Sequence, residues 1–163
     1  VINVTWFDAV AYAEWLSQQT GQIYRLSTEA EWEYACRAGT ATPFSFGTTI
    51  STDQVNYCGN YVYGKGRKGV YRQKTIEVGQ FPANAWGLYD LHGNVWEWTS
   101  SKYAEGYGGA ELRTVDDPNS DAQRVVRGGS WTNDPEYIRS AFRYRHAPLV
   151  ASQFLGFRLA RDL

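Results

Sequence analysis

From about residue 40 to residue 125 the chain shows no helical or strand periodicity, and this limits its fold more than any other feature. Gly, Asn, Pro and Tyr are interspersed with short apolar pieces there, as in Gly59-Asn60-Tyr61-Val62-Tyr63-Gly64. A stretch this long inside a compact domain is functional, or is pinned by something other than helix and sheet ladders, bound metal being one such device. Sixteen Gly together with seven Trp and twelve Tyr in 163 residues point the same way, to a loop-rich fold rather than a helical bundle.

Regular structure is expected on either side. Asp8 can cap a first helix with Val10, Tyr12, Ala13, Trp15 and Leu16 at helical spacing, stopped by Gly21. Residues 23–26 form a short strand candidate. Thr28-Glu29-Ala30-Glu31 is a capping box for a second helix, whose buried stripe would be Trp32, Ala35 and Cys36 and whose end would be Gly39. Short strands are expected again at 95–99, at Arg124–Arg127 and at 156–160. No internal repeat interrupts this order, so residues 1–163 read as one domain.

Charge and composition exclude some partners. Sixteen Lys and Arg against seventeen Asp and Glu give a net charge of −1, which argues against a nucleic-acid or acidic-membrane binder. No apolar run is long enough to span a bilayer. The chain starts at Val1 and has no Met, as expected of a piece of something longer. Cys36 and Cys58 are too few and too far apart for a disulfide framework or a zinc set, and read as small buried hydrophobes. Compartment and oligomeric state stay open.

Four ordered motifs carry a resemblance. They are Tyr24-Arg25-Leu26-Ser27-Thr28-Glu29-Ala30-Glu31-Trp32-Glu33-Tyr34-Ala35, Gly87-Leu88-Tyr89-Asp90-Leu91-His92-Gly93-Asn94-Val95-Trp96-Glu97-Trp98, Arg124-Val125-Val126-Arg127-Gly128-Gly129-Ser130-Trp131 and Gly156-Phe157-Arg158-Leu159. Together they resemble the formylglycine-generating enzyme (sulfatase-modifying factor) family and cover nearly the whole chain. The resemblance implies an α+β, C-type lectin-like fold of the formylglycine-generating-enzyme type: two helices, a twisted antiparallel sheet and much irregular loop. It also implies that the family's opening strands, which precede the position of Val1, are lacking.

The resemblance raises enzymatic functions that the residues resist. Formylglycine-generating members hold copper with two cysteines after the Gly-Gly-Ser motif. Here the aligned positions are Asn133 and Ile138, and an amide plus an aliphatic group cannot replace thiolates, so no copper is expected. A second branch makes sulfur–carbon bonds with iron held by a histidine-rich set. This chain has only His92 and His146, which read as a turn residue and a surface group.

Calcium is the metal the sequence does favour. Asp90 and Glu97 flank a Gly93-Asn94 turn, so both carboxylates could converge on one ion with carbonyls between them. Carried over from the family, the ligands would be Asp90, Glu97 and the carbonyls of Gly93 and Val95. A second family site would begin at Asn56 and the Tyr57 carbonyl, but its acidic partner is not evident, since residues 68–72 are basic. Trp96 and Trp98 read as core and edge packing.

Between the last two motifs, residues 131–154 put apolar and aromatic groups where ordinary family members are polar. Trp131, Thr132, Asn133, Asp134, Tyr137, Phe142, Tyr144, His146, Leu149 and Phe154 are the candidate ligand-contacting residues. The stretch also resembles the variable segment of diversity-generating retroelement proteins, which mutate Asn codons just before a fixed Gly-Phe-Arg-Leu-like end. Arg139, Arg143 and Arg145 would then be fixed scaffold, and these three with Arg127 and Arg158 would stack on Trp or fork to carboxylates. The expected function is a non-catalytic module binding a protein or other macromolecular ligand through 131–154. The alternatives are a metal-dependent oxidase or sulfoxide-synthase-like enzyme with ligands on a missing segment, or a regulatory domain of a larger kinase or protease.

Overall fold

The computed structural model describes residues 1–115 and 117–162. Helix α1 spans Trp6–Thr20 and ends at Gly21 in the left-handed conformation, as expected. Its cap differs from the expectation. Thr5 is the capping residue, and Asp8 is its reciprocal partner one turn in: the Thr5 hydroxyl accepts from the Asp8 N–H at 3.1 Å and the Asp8 carboxylate accepts from the Thr5 N–H at 2.9 Å. Those Thr5 bonds also lower the Asp8 pKa. Moving the start three residues earlier rotates the buried stripe onto Trp6, Ala9 and Ala13, and leaves Tyr12 and Trp15 exposed.

Strand β1 (Tyr24–Leu26) leads into α2 (Glu29–Arg37), which opens with the expected Thr28–Glu31 capping box. Trp32 and Cys36 face inward while Ala35 is only half-buried. The left-handed turn that ends α2 falls on Ala38, one residue before the expected Gly39.

The remaining strands are β2 (Trp96–Lys102), β3 (Arg124–Arg127), β4 (Tyr144–His146), β5 (Leu155–Phe157) and β6 (Leu159–Arg161), with 3-10 turns at Ala110–Leu112 and Pro135–Ile138. Four of them form a sheet in the order β4-β3-β2-β5, in which β2 runs antiparallel to β3 and parallel to β5. Strand β6 pairs antiparallel with β1 in a separate two-stranded sheet. The single strand expected over 156–160 is therefore two strands in two sheets. The break falls at Arg158, whose guanidinium turns to Glu97 on β2.

Both faces of β2 are covered, so all its residues but Lys102 are buried. One cluster joins Trp6, Ala9, Leu26, Trp96, Trp98, Val126 and Leu155, and places both central tryptophans in the core. A second gathers Phe44, Ile50, Val55, Tyr57 and Ile138 from the irregular middle, and a third holds Trp32, Cys36 and Leu91.

Asparagines pin the aperiodic middle. Asn56 Nδ2 donates to the Lys74 carbonyl at 2.9 Å and to Asn94 Oδ1 at 3.1 Å, while Asn94 Oδ1 also accepts from the Ile76 N–H at 3.0 Å. Asn84 donates to the Ala35 carbonyl at the end of α2 and accepts from the Trp86 and Leu88 N–H groups. An amide side chain imitates a peptide group, so each of these supplies the bonds a ladder otherwise provides. Gly93 lets the backbones meet: its φ is 73°, and a Cβ there would lie 2.4 Å from the Asn56 carbonyl oxygen.

Candidate functional site

The arginines build the floor of the site. Arg127 is fully buried against the Trp32 ring and pairs with Glu33 and with Glu29 at 3.4 Å. Arg143 forks onto the same Glu29, with Nε and Nη2 at 2.6 and 2.7 Å from the two carboxylate oxygens. Glu33 reaches Arg37 as well, so charges alternate along Arg143–Glu29–Arg127–Glu33–Arg37. Arg124 stacks on Trp6 and donates to the Ala122, Pro118 and Ser120 carbonyls. The expected stacking and forking are seen at Arg127 and Arg143.

Above that floor, the residues at 131–154 fall into three groups. Thr132, Asn133 and Asp134 belong to a hydrogen-bonded turn. Asn133 Oδ1 accepts from the Ser130 N–H and hydroxyl, both at 2.8 Å, the Thr132 hydroxyl lies 2.9 Å from Ser130 Oγ, and the Asp134 carbonyl accepts from the Tyr137 N–H at the start of the 3-10 turn. The second group is aromatic and partly sunk. Trp131 lies between Tyr71 and Phe154, with centroids at 6.1 and 5.4 Å, and Phe142 lies between Trp96 and Tyr137 at 6.1 and 5.0 Å. Tyr144 and His146 lean on Trp96 and Trp98. Solvent reaches Tyr137 (41% exposed) and Tyr144 (46%) at the outer rim of this second group, and Leu149, the third group, is 75% exposed.

Tyr71 and Tyr103 were missed in the sequence. Tyr71 sits in the aperiodic stretch, where no period links it to Trp131. Tyr103 follows β2 and stacks under Arg145 at 4.5 Å. Only the one-residue continuation of an alternating strand could have suggested it.

The two positions aligned with copper-binding cysteines have structural duties. Asn133 holds the turn just described, and Ile138 is 0% exposed within the second core cluster. Gly129 must be a glycine for that packing, because a Cβ would lie 2.3 Å from Ile138 Cγ2. Both cysteines are buried and free, and burial raises the Cys36 thiol to about 12, where it stays protonated.

The histidine expectations need correction. His92 lies in a bend, as expected, but its ring is buried in the core. Its Nδ1 lies 2.7 Å from the Ile138 carbonyl oxygen, and its Nε2 accepts from the Ser45 N–H at 3.1 Å. Nδ1 therefore bears the hydrogen, and burial pulls the pKa down to about 4. His146 is half-buried beside Trp98 and Tyr144, not a free surface group, and burial lowers its pKa too.

Asp90, Val95 and Glu97 share a cavity of about 540 Å³ with Asn94 and Arg158, whereas Gly93 does not line it. Asp90 accepts from the Gly79 N–H at 2.7 Å. Both Glu97 oxygens accept from Arg158 at 2.7 Å, and Trp32 Nε1 donates to one of them at 2.7 Å. Burial lowers the Arg158 pKa, but the Glu97 charge and hydrogen bond more than restore it. A guanidinium thus already supplies positive charge to Glu97, and a calcium ion there would share the carboxylate with it. Among the described residues no three His, Cys, Asp or Glu side chains converge on one point.

Asn56 fits an oxygen-seeking cation better. It is 1% exposed, its Nδ2 bonds fix the orientation of the amide, and its Oδ1 has no hydrogen-bond partner among the described residues. Leaving such an oxygen bare costs about 1–3 kcal/mol.

With this geometry in hand, comparison with known proteins gives consistent matches. The sulfatase-modifying factor enzyme 1-like domain family matches residues 1–163. The chain is 38% identical over 172 residues to the formylglycine-generating enzyme of Mus musculus, covering 99% of this chain and 44% of that protein. It is 34% identical over 167 residues to the serine/threonine-protein kinase pkn1 of Chlamydia pneumoniae, covering 100% of this chain and 24% of that one. It thus spans less than half the length of either relative. Among solved structures, PvdO from Pseudomonas aeruginosa superposes with a TM-score of 0.84 at 35% identity, covering 100% of this chain and 62% of PvdO. Variable protein 1 of Treponema denticola superposes at 0.78 and 27% identity, covering 98% and 69%.

Proposed function

The chain belongs to the sulfatase-modifying factor enzyme 1-like domain family and has its α+β, C-type lectin-like fold, and from that premise we propose that it is a non-catalytic ligand-binding member. The observation that supports this reading is the exchange of roles at two positions. Where formylglycine-generating members resemble this chain but carry thiolates, Asn133 holds a turn and Ile138 fills the core, while Tyr137, Tyr144 and Leu149 of the same segment stand exposed. A soft copper site needs sulfur ligands, and this arrangement offers an amide and a methyl group instead.

The ligand is a protein or another macromolecule that meets the 131–154 face, with no nucleic acid involved. Aromatic rings there rest on the β2 core, so contact area is presented with little loss of side-chain entropy on binding. The likeness to a protein named variable protein favours diversification of this face by a retroelement. Calcium, held at Asn56 or at Asp90 with Glu97 and the Gly93 and Val95 carbonyls, would stiffen the irregular middle beneath it. A second reading, an accessory domain of a larger chain, is favoured by the match to one quarter of a protein named as a kinase.

The deciding experiment joins metal analysis with sequencing. Purified chain is expected to bring no stoichiometric copper or iron, and either metal at one equivalent would sink the binding reading. Deep sequencing of the locus across sibling cells is expected to show changes at Thr132, Tyr137, Phe142, Tyr144 and His146 with Arg143 and Gly156 fixed. A flat distribution would remove diversification.

A further inference from the structure

The four-stranded sheet has two edges, and they are treated differently. At the β5 edge the N-terminal segment lies close: a Cβ on Gly156 would be 2.4 Å from the Val1 carbonyl oxygen, and the Asn3 N–H donates to the Ser152 carbonyl. At the other edge is β4, and among the described residues no strand pairs with its outer side. An edge strand turns alternate N–H and C=O groups outward, where they can bond an added strand.

The side chains of β4 alternate as the backbone requires. Tyr144 and His146 lie toward Trp96 and Trp98, and Arg145 lies on the opposite face over the Tyr103 ring. The neighbouring arginines are satisfied, since Arg143 holds Glu29 and Arg139 pairs with Glu136 at 3.4 Å. Arg145 is exposed and has no carboxylate partner among the described residues. Stacking fixes the plane of its guanidinium, so a fork of donors waits beside an open strand edge.

Building on the binding reading above, we propose that β4 accepts an extended, acidic segment of a protein partner as an added strand, with a carboxylate of that segment forked by Arg145. Main-chain bonds to the β4 edge would supply affinity. Side chains on one face of the added strand would meet Tyr144 and His146, and those on the other would meet Arg145. The chosen occupant is acidic because the unmatched charge at this edge is positive.

Three fluorescein-labelled octapeptides test this by anisotropy with the full chain. One alternates Glu and Val, one alternates Lys and Val, and one repeats the first with its four central amides N-methylated. The Glu/Val peptide is expected to bind, more weakly in 500 mM than in 50 mM salt. Arg145→Glu should lower its affinity by at least about tenfold and turn the preference toward the Lys/Val peptide. Equal thermal midpoints of variant and parent would show that the fold is kept. The proposal is overturned if the methylated peptide binds as well as its parent, if the Lys/Val peptide binds the parent chain equally, or if none binds below 1 mM. Peptides selected from a displayed library separate the two readings. Binders that are lost on Tyr137→Ala or Leu149→Asp but indifferent to Arg145→Glu and to N-methylation would sink strand addition and keep the binding face.

Discussion

Replacing Glu29 by Gln should destabilise the protein far more than its small change in shape suggests. Glu29 is 1% exposed, takes two hydrogen bonds from Arg143 and faces the fully buried Arg127 at 3.4 Å. Glutamine keeps the volume and one acceptor, but removes the negative charge and one charged bond. Each bond to a charged group contributes about 1.5–3 kcal/mol, and breaking a buried pair costs about 3–5 kcal/mol because the partner charge stays buried. Arg127 retains Glu33, so the loss is placed near the lower bound, about 3 kcal/mol. Urea unfolding followed by tryptophan fluorescence reads this as a midpoint about 1–2 M lower with an unchanged slope. The control is Glu136→Gln, whose exposed pair with Arg139 should move stability by under about 1 kcal/mol. Glu29→Leu combined with Arg143→Met should recover much of the loss, since it withdraws both ends of one buried pair. A Glu29→Gln midpoint within error of the control would refute the reasoning, because it would mean that the buried charges are hydrated or compensated elsewhere.

Three more expectations follow from the geometry. His92 titrates near 6.5 when unfolded and near 4 when folded, so the unfolded chain binds the extra proton between those values. Stability should therefore fall by about 3 kcal/mol as pH drops from about 6.5 to about 4, and His92→Gln should flatten that slope; an unchanged slope in urea titrations would exclude His92 as its source. Gly129→Ala should cost about 2–4 kcal/mol, joining a φ of 73° to a clash with Ile138, whereas Gly21→Ala meets nothing within 4 Å and should cost about 1–2 kcal/mol. Equal thermal midpoints for these two variants would contradict the packing described for Ile138. Calcium should raise the midpoint of the parent chain and raise it less in Asn56→Ala, so calorimetry showing no shift up to millimolar calcium would remove the ion from the account.

Much of the frame was legible because local chemistry fixes it. Thr28 and Glu31 announce α2 by a reciprocal cap that needs no tertiary partner. Thr5 and Asp8 use the same device, yet aspartate at the third helical position disguised it, and the buried face of α1 was misplaced with it. The split at Arg158 was not readable, since alternation over 156–160 looks the same whether one sheet or two receive it; the partner Glu97 lies 61 residues away in sequence. His92 shows the same limit. Its neighbours Leu91 and Gly93 suggest a turn, and only the fold brings the Ile138 carbonyl to its ring. In the binding face, the aromatic content was visible, but not that Thr132 and Asn133 serve the Ser130 turn while Tyr137, Tyr144 and Leu149 are exposed.

The pairing of β1 with β6 sets a timing problem for the chain. Arg25 bonds Asp162 at a sequence separation of 137, and Tyr24–Leu26 finds its strand partner only in Leu159–Arg161. A ribosome delivers Leu159–Arg161 long after Tyr24–Leu26, so α1 and β1 emerge well before the strand that pairs with β1 exists. Contacts this distant in sequence slow the search for the native state and leave Leu26 and the Trp6 face open to other chains meanwhile. Folding yield should then depend on what shelters α1 and β1 until β6 has been made, rather than on how stable the finished protein is.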